Sequence, residues 1–264
     1  MFTFSLRSNI KIYMVILSWN FLRSGTCKGG ESMNKKLYLD VSSSDEETAK
    51  KLGAKFDKRR KLWYTDADPE KYINFAKWII REKKDVTTIV CDYIYIIQGT
   101  KTCKNCNQET GIIGLGIEKF VEIFAIYGDD EKTKPVYINE MSGFDGEQNM
   151  YITWIENEKE IPPFMLKYLK ENYPVKTGIS EISGKVFANH CEHCGALLEK
   201  DEVFGEPFML SDNDFEKNIK KAKEFKIKRV PLKENIRLDC EYSASVNETD
   251  DMYLTYGDIE DITL

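Results

Sequence analysis

The sequence contains very little histidine: His190 and His193 are the two histidines among its 264 residues. Both stand beside a pair of cysteines, so the chain offers no convincing Ser-His-Asp or Cys-His catalytic arrangement. Apolar runs of about 18 residues, the length that spans a bilayer, are also lacking. These shortages favour a protein that is neither an enzyme nor a membrane-spanning protein.

Basic charge is in deficit as well, because 38 Lys and Arg stand against 44 Asp and Glu, a net charge of −6. A protein that binds duplex DNA by charge alone should be basic overall, so this balance argues mildly against that class. The remaining composition is ordinary for a globular protein, with 42% hydrophobic residues available for a core. The length allows one large domain or two small ones.

The order of sequence patterns predicts an α+β protein. A small αβ module is expected over residues 36–82, followed by a β-rich domain over residues 86–264 that contains a zinc ribbon. Residues 1–32 precede both and end close to "KGGESM", which is what a purine-rich ribosome-binding site would encode if it were translated in frame. We therefore predict that translation starts at Met33 and that residues 1–32 are a leader assigned in error.

Within the module, "KLYLDV" predicts a strand and "DEETAKKL" a helix. A capping box from Ser44 to Glu47 is expected to open this helix, and Gly53 to close it. "AKFDKRRKLWYTD" predicts two short strands around a basic turn, and Pro69 starts a second helix. Four residues of that helix form an apolar stripe: Tyr72, Phe75, Ala76 and Ile79.

The β-rich domain is predicted from segments with β-branched and aromatic residues. These segments are "TTIVCDYIYIIQG", "ETGIIGLGIEKFVEIFAIYG", "PVYINEMS", "MYITWIEN" and "ISGKVFANHC". "PPFMLKYLKENYP" predicts a short helix that turns Met165, Leu166 and Leu169 inward. Residues 212–230 predict a basic helix that runs into a strand.

Seven cysteines are spread along the chain, an odd number that does not fit a secreted disulfide scaffold. Four of them form two C-x-x-C pairs: Cys103 with Cys106, and Cys191 with Cys194. In a reducing cytoplasm such pairs indicate a metal more often than a disulfide. We therefore predict one structural Zn²⁺ site with these four thiolates as ligands. Asn107 and Gly195, which follow the pairs, are expected to take a left-handed backbone conformation.

Several cysteines and histidines have other interpretations. "CEHC" is also typical of thiol oxidoreductases, in which a helix N-terminus activates one thiol. The other pair, Cys103 with Cys106, has no explanation in that chemistry. His190 and His193 could replace a cysteine as ligands, although four thiolates already fill a structural site. Cys91 is expected in the core, and Cys240 to be structural or exposed.

A basic turn beside two aromatic residues is a candidate site for single-stranded nucleic acid. It contains Lys58, Arg59, Arg60 and Lys61, next to Trp63 and Tyr64. The competing interpretation is a core tryptophan beside a solvated turn. The sequence alone leaves both open.

Residues 37–80 resemble a small module of unknown function, through "LYLDV", "AKKLGAKFD", "RRKLWYTD" and "FAKWI". That module is similar to one found in plasmid conjugation primases and in many bacterial and phage proteins. Residues 90–264 resemble a zinc-ribbon extension of uncharacterised bacterial proteins, through "TCKNC", "GIIGLGI" and "ANHCEHCGALLEKDEVFGEPF". The resemblance implies zinc and a bacterial cytoplasm, and implies no reaction.

Three functions follow as hypotheses. The first is a non-enzymatic module that binds single-stranded nucleic acid or a protein that processes it. The second is a protein–protein adaptor, which the acidic charge favours. The third is a thiol oxidoreductase.

Overall fold

The computed structural model describes residues 36–80, 88–126, 136–142, 150–204, 207–208, 210, 214–239 and 252–264. At residues 125–126, 136–142 and 233–239 it describes the backbone alone. The described residues from Lys36 onward belong to one compact unit. The predicted start at Met33 concerns residues outside these ranges, as does Cys240.

The short apolar alternations of the module form a three-stranded antiparallel sheet in the order β1-β3-β2. Its strands are β1 (Leu37–Leu39), β2 (Lys55–Asp57) and β3 (Leu62–Thr65), and its helices are α1 (Glu46–Lys51) and a 3₁₀ helix (Pro69–Trp78). The predicted order of elements is therefore confirmed. The predicted apolar stripe on the second helix is buried throughout.

The capping box predicted from Ser44 to Glu47 is wrong. The residue that precedes α1 is Asp45, and its side chain makes no capping hydrogen bond. The Asp45 carboxylate instead accepts a hydrogen bond of 2.9 Å from the indole N–H of Trp78. That bond lowers the pKa of Asp45. A contact with the far end of the module thus takes the place of a local cap.

The second region is built on two long antiparallel strands, β4 (Thr88–Thr102) and β11 (Lys226–Asp239). The sheet order is β12-β11-β4-β5-β8, and β6 pairs with the other half of β4 and with β7. The remaining strands are β5 (Glu109–Ile117), β6 (Phe120–Ile126), β7 (Val136–Ser142), β8 (Tyr151–Thr153) and β12 (Asp258–Asp261). Each predicted strand segment of this region contributes a strand, which confirms the α+β class.

A two-stranded sheet of β9 (Val175–Ser180) and β10 (Gly184–Asn189) stands beside this large sheet. Before it lies α2 (Pro163–Asn172), which buries Met165 and Leu169 and leaves Leu166 half-buried. The other elements are a 3₁₀ turn (Glu158–Glu160), α3 (Lys200–Phe204), α4 (Phe215–Glu224) and α5 (Met252–Tyr256). None of the described helices is long and apolar enough to cross a membrane.

The module packs against the large sheet through one shared apolar cluster. Phe75 and Ile79 of the module belong to the same buried cluster as Val90 and Ile123 of β4 and β6. At this contact the Tyr72 hydroxyl donates a hydrogen bond of 2.9 Å to the buried carboxylate of Asp92.

The two cysteine pairs lie elsewhere in the second region, one in the turn of the β4–β5 hairpin and the other directly after β10.

Candidate metal centre and candidate nucleic-acid interface

The first cysteine pair lies in the turn that joins β4 to β5. The Cys103 amide donates to the Gln108 carbonyl at 2.9 Å, and the Asn107 amide donates to the Cys103 carbonyl at 2.9 Å. Asn107 has φ 55°, the left-handed conformation expected for it. This turn brings Cys103 and Cys106 to one side of the hairpin.

The second pair lies in a turn of the same construction after β10. The Cys191 amide donates to the Ala196 carbonyl at 2.8 Å, and the Gly195 amide donates to the Cys191 carbonyl at 2.9 Å. Gly195 has φ 71°, in the left-handed region that favours glycine. The two turns therefore present their sulfur atoms in the same way, although Cys106 and Cys191 are 85 positions apart.

The structure brings the four predicted ligands together: the sulfur atoms of Cys103, Cys106, Cys191 and Cys194 all lie within 4.8 Å of one another. Between the turns, the sulfur atoms are 3.8 Å apart for Cys103 and Cys194 and 3.6 Å apart for Cys106 and Cys191. A tetrahedral thiolate site with metal–sulfur bonds of about 2.3 Å has sulfur–sulfur edges of about 3.8 Å. The four-cysteine cluster thus has the size and the donor set that could hold a metal ion.

Backbone and side-chain donors point at these sulfur atoms. The amides of Cys194 and His193 lower the pKa of Cys191 to about 6. The Asn105 side chain, which reaches across from the first turn, donates to Cys194 Sγ at 3.3 Å and lowers the pKa of that thiol. Because a metal binds the thiolate form, these donors prepare the second turn for ligation.

The electrostatics of the first turn are different. The Gln108 amide lowers the pKa of Cys106, but burial and the three neighbouring thiols together raise it to about 12. Four thiolates cannot share so small a space without a cation, since their charges repel one another. The cluster therefore needs a positive ion at its centre to carry four thiolates.

Hydrogen bonds outside the cluster hold the two turns together. The Asn189 side chain, 2% exposed, accepts from the Ile113 amide at 2.8 Å and donates to the Ile113 carbonyl at 2.9 Å. The Glu192 amide donates to the buried Thr110 hydroxyl at 3.0 Å. These contacts join the second turn to β5. Sequence reasoning missed Asn189 because its partner lies 76 positions away.

Neither histidine belongs to the four-residue cluster. His190 is buried, with Nδ1 at 3.0 Å from the Ala188 carbonyl, and burial lowers its pKa. His193 is exposed, with Nε2 at 2.8 Å from the Glu109 carbonyl. Both therefore lie near the ligands while making contacts to the backbone. Cys91 lies in the core at 1% exposure, as predicted.

The basic turn predicted to meet nucleic acid lies at the end of the module's sheet. Lys58, Arg59, Arg60 and Lys61 are all exposed. Trp63 is only 8% exposed and belongs to the core cluster of the module. Tyr64 points to the other face of β3 and is half-buried. The structure therefore separates the two aromatic residues of the predicted site.

On that outer face, Tyr64 of β3 lies directly opposite Tyr38 of β1, with ring centroids 6.1 Å apart. A cation lies over each ring: the Arg60 guanidinium carbon is 4.7 Å from the Tyr38 centroid, and Lys36 Nζ is 4.3 Å from the Tyr64 centroid. We call Lys36, Tyr38, Arg60 and Tyr64, with Asp57 beneath them, the tyrosine platform. Strand alternation in "KLYLDV" could have identified Tyr38, which points away from buried Leu37 and Leu39.

Asp57 organises the tyrosine platform. One of its oxygens accepts from the amides of Arg59 at 2.9 Å and Arg60 at 3.1 Å. The other accepts from Lys36 Nζ at 3.2 Å and from the Tyr38 hydroxyl at 3.1 Å. The Arg60 amide, with these other donors, lowers the pKa of Asp57 to about 2. One carboxylate thus fixes both the basic turn and the cation over Tyr64.

Comparison with known proteins gives one finding for the module. Residues 36–79 match a family described as Domain of unknown function (DUF5710), which confirms that the module resembles one of unknown function. The match covers 44 of the 264 residues and brings no activity with it. No curated protein and no solved structure matches the chain. The resemblance of the second region to a zinc-ribbon extension stays a prediction.

Proposed function

We propose that the protein is a non-enzymatic, zinc-stabilised protein that binds single-stranded nucleic acid through its module. The observation that carries this proposal is the tyrosine platform, in which two aromatic rings and two cations lie together on the outer face of the module's sheet. Proteins that bind single strands without reading their sequence combine aromatic stacking surfaces with basic groups along the backbone. The bacterial cytoplasm suits this role, because thiols stay reduced there.

Zinc is the metal that this site fits best. Four sulfur donors in tetrahedral proximity favour Zn²⁺ or an iron–sulfur centre. Turns whose amides point at the sulfur atoms, with Cys103 and Cys191 buried, are typical of closed structural zinc sites. Four thiolates leave no coordination position for water, so the ion would stabilise the fold and would not activate a nucleophile.

The local charge of the module supports nucleic-acid binding despite the acidic chain. Residues 36–79 contain ten Lys and Arg and eight Asp and Glu, a net of +2, whereas the whole chain carries −6. Affinity for single strands depends on such local cations, and salt weakens it. The module is therefore locally basic within an acidic protein.

Binding is tested by fluorescence anisotropy with a labelled 12-nucleotide single strand at 50 mM salt. We expect Arg60→Ala to weaken binding by threefold or more, because it removes a cation from the tyrosine platform. Lys223→Ala on α4 is the matched control, since it removes one exposed cation elsewhere and should change affinity by less than twofold. Absence of any anisotropy change with the unaltered, metal-loaded protein would refute nucleic-acid binding.

A protein–protein adaptor is the second candidate, and a separate observation favours it. Leu52 and Phe56 are 44% and 49% exposed, and Phe56 lies on β2, which forms an edge of the module's sheet. Exposed apolar residues on a sheet edge are suited to pairing with another chain. An adaptor would retain a partner in pull-downs, lose it on Phe56→Lys, and show no anisotropy change with nucleic acid.

The thiol-oxidoreductase hypothesis is the weaker alternative. It needs Cys191 and Cys194 to act as a pair of their own, whereas each of them also has a sulfur of the other turn within 3.8 Å. Insulin reduction that disappears on Cys191→Ser would restore this hypothesis. We expect no such activity from the metal-loaded protein.

A further inference from the structure

The geometry of the tyrosine platform limits which single strands it can hold. Tyr38 and Tyr64 are direct cross-strand partners, their ring centroids are 6.1 Å apart, and their planes differ by 54°. Stacked bases in one strand of a duplex are about 3.4 Å apart and nearly parallel. Two consecutive bases that remain stacked on each other therefore cannot both lie flat on the two rings.

The two cations add a second constraint. Arg60 lies over one ring and Lys36 over the other, so each tyrosine is already covered by a cation when no ligand is bound. A base that takes a ring face must move the cation aside, either onto its own outer face or onto a neighbouring phosphate. Asp57 bonds to Lys36 Nζ at 3.2 Å and to the Arg60 amide at 3.1 Å, so the ammonium group of Lys36 and the backbone that carries the Arg60 side chain are anchored beside the rings.

The position of the rings excludes paired bases. Both tyrosines are half-buried side chains on the outer face of a small sheet, flanked by Lys55 and by the basic turn. Bases can reach such a face only when they are splayed out of a helix, as in single strands and loops. Strands that have already lost their own stacking need the least rearrangement to do so.

We infer, resting on the proposed function, that the tyrosine platform binds two consecutive unstacked nucleotides and so prefers pyrimidine-rich single strands. Pyrimidine runs stack weakly, whereas oligoadenylate must first be unstacked. Each of the two bases lies between a tyrosine ring and a cation. Sequence preference then arises from the stiffness of the strand and not from hydrogen bonds to base edges.

The salt dependence of binding gives the number of contacts. Two nucleotides bring two or three phosphates near Lys36 and Arg60. For single strands the slope of log affinity against log salt is about −0.7 per neutralised phosphate, so a slope of roughly −1.4 to −2.1 is expected. A strand that instead followed a long basic groove would give a steeper slope.

The deciding experiment compares labelled 12-nucleotide oligo(dT), oligo(dA) and a 12-base-pair hairpin on the metal-loaded, full chain. We expect oligo(dT) to bind at least threefold more tightly than oligo(dA), and the hairpin to bind most weakly. Warming from 10 °C to 35 °C should reduce the ratio of the oligo(dT) affinity to the oligo(dA) affinity, because heat unstacks adenines. Oligo(dA) binding as tightly as oligo(dT) would overturn the inference and leave the proposed function standing; no binding of any single strand would overturn both.

Variants separate the rings from the charges. Tyr38→Leu with Tyr64→Leu should weaken oligo(dT) binding at least tenfold and abolish the preference for it. Tyr38→Phe with Tyr64→Phe keeps both rings, and should keep the preference even though Tyr38 loses its hydrogen bond to Asp57. Lys36→Ala with Arg60→Ala should flatten the salt slope and leave the ratio of oligo(dT) to oligo(dA) affinity unchanged.

Folding of the leucine variant is checked by its metal content and its thermal midpoint. If that variant does not fold, the phenylalanine variant and the salt slope still test whether the tyrosine platform binds two unstacked bases, one on each ring. Loss of the preference in the phenylalanine variant, or a slope steeper than about −3, would each count against a two-nucleotide stacking site.

Discussion

The module and the β-rich region of this protein differ in the interactions available to stabilise them. The module of residues 36–79 contains neither cysteine nor histidine, and it is held by apolar side chains such as Leu39 and Phe75 packed partly against the large sheet. The end of the β-rich region instead places four sulfur atoms within 4.8 Å of one another. Small units with little core of their own need a partner surface or a cross-link. Here the module packs on a neighbouring sheet, and the β-rich region has a four-cysteine cluster that could hold an ion.

The largest effect is expected at the proposed zinc site of the second region. Cys191→Ser removes a buried ligand and should lower the unfolding free energy by about 4 kcal/mol, together with loss of bound zinc. Thermal unfolding and metal analysis under reducing, chelator-free conditions measure the two effects. Cys91→Ala, which alters a buried cysteine outside the cluster, should keep one zinc per chain. A zinc-to-protein ratio near zero in the unaltered protein would contradict the structural zinc site.

A core substitution in the module should lower stability without releasing zinc, unlike Cys191→Ser. Phe75→Ala leaves a cavity where the module meets the sheet, and should cost about 3 kcal/mol or slightly more while the zinc content stays at one. Leu52→Ala is the surface control, because that side chain is 44% exposed and should change stability little. If Phe75→Ala also released zinc, the apolar cluster shared by the two regions would be coupled to the metal site.

The smallest effect concerns the charge that organises the tyrosine platform. The folded pKa of Asp57 is about 2, below its ordinary value of 3.8, so its contribution is present above about pH 4 and is lost as the pH falls through 2. Amide hydrogen exchange of Arg59 and Arg60, corrected for the intrinsic pH dependence, should therefore lose protection between pH 4 and pH 2. Asp57→Asn should reduce that protection already at pH 6. Protection unchanged in this variant would show that the carboxylate does not order the turn.

Some features of the site could be predicted from the sequence because they are local. Two C-x-x-C pairs specify their own turns, and Asn107 and Gly195 take the left-handed conformation that their residue types allow. A structural zinc site needs four ligands and each C-x-x-C pair offers two thiolates, so the pairing of two distant turns followed from counting donors. The strands of the large sheet were predictable because β-branched and aromatic residues fill them.

Other features depend on pairing across the sheet and could not be predicted. Trp63 and Tyr64 are neighbours that point to opposite faces, and nothing local says which of them faces the core. Opposition of Tyr38 and Tyr64 depends on the register of β1 against β3. The capping box predicted from Ser44 to Glu47 is wrong: Asp45 precedes the helix, and its carboxylate is bonded to Trp78, 33 positions away. Long-range partners override local preferences in each case.

The side-chain amide of Asn189 has a consequence for how the proposed zinc ion would be acquired. Its two hydrogen bonds to the backbone of Ile113 join the second turn to the hairpin through atoms that are not metal ligands. Many small zinc domains must fold around their ion, so uptake is as slow as folding. Because neither of these bonds involves a cysteine ligand, we expect the two turns of this chain to stay joined in metal-free protein, and its uptake of zinc to be faster than its folding.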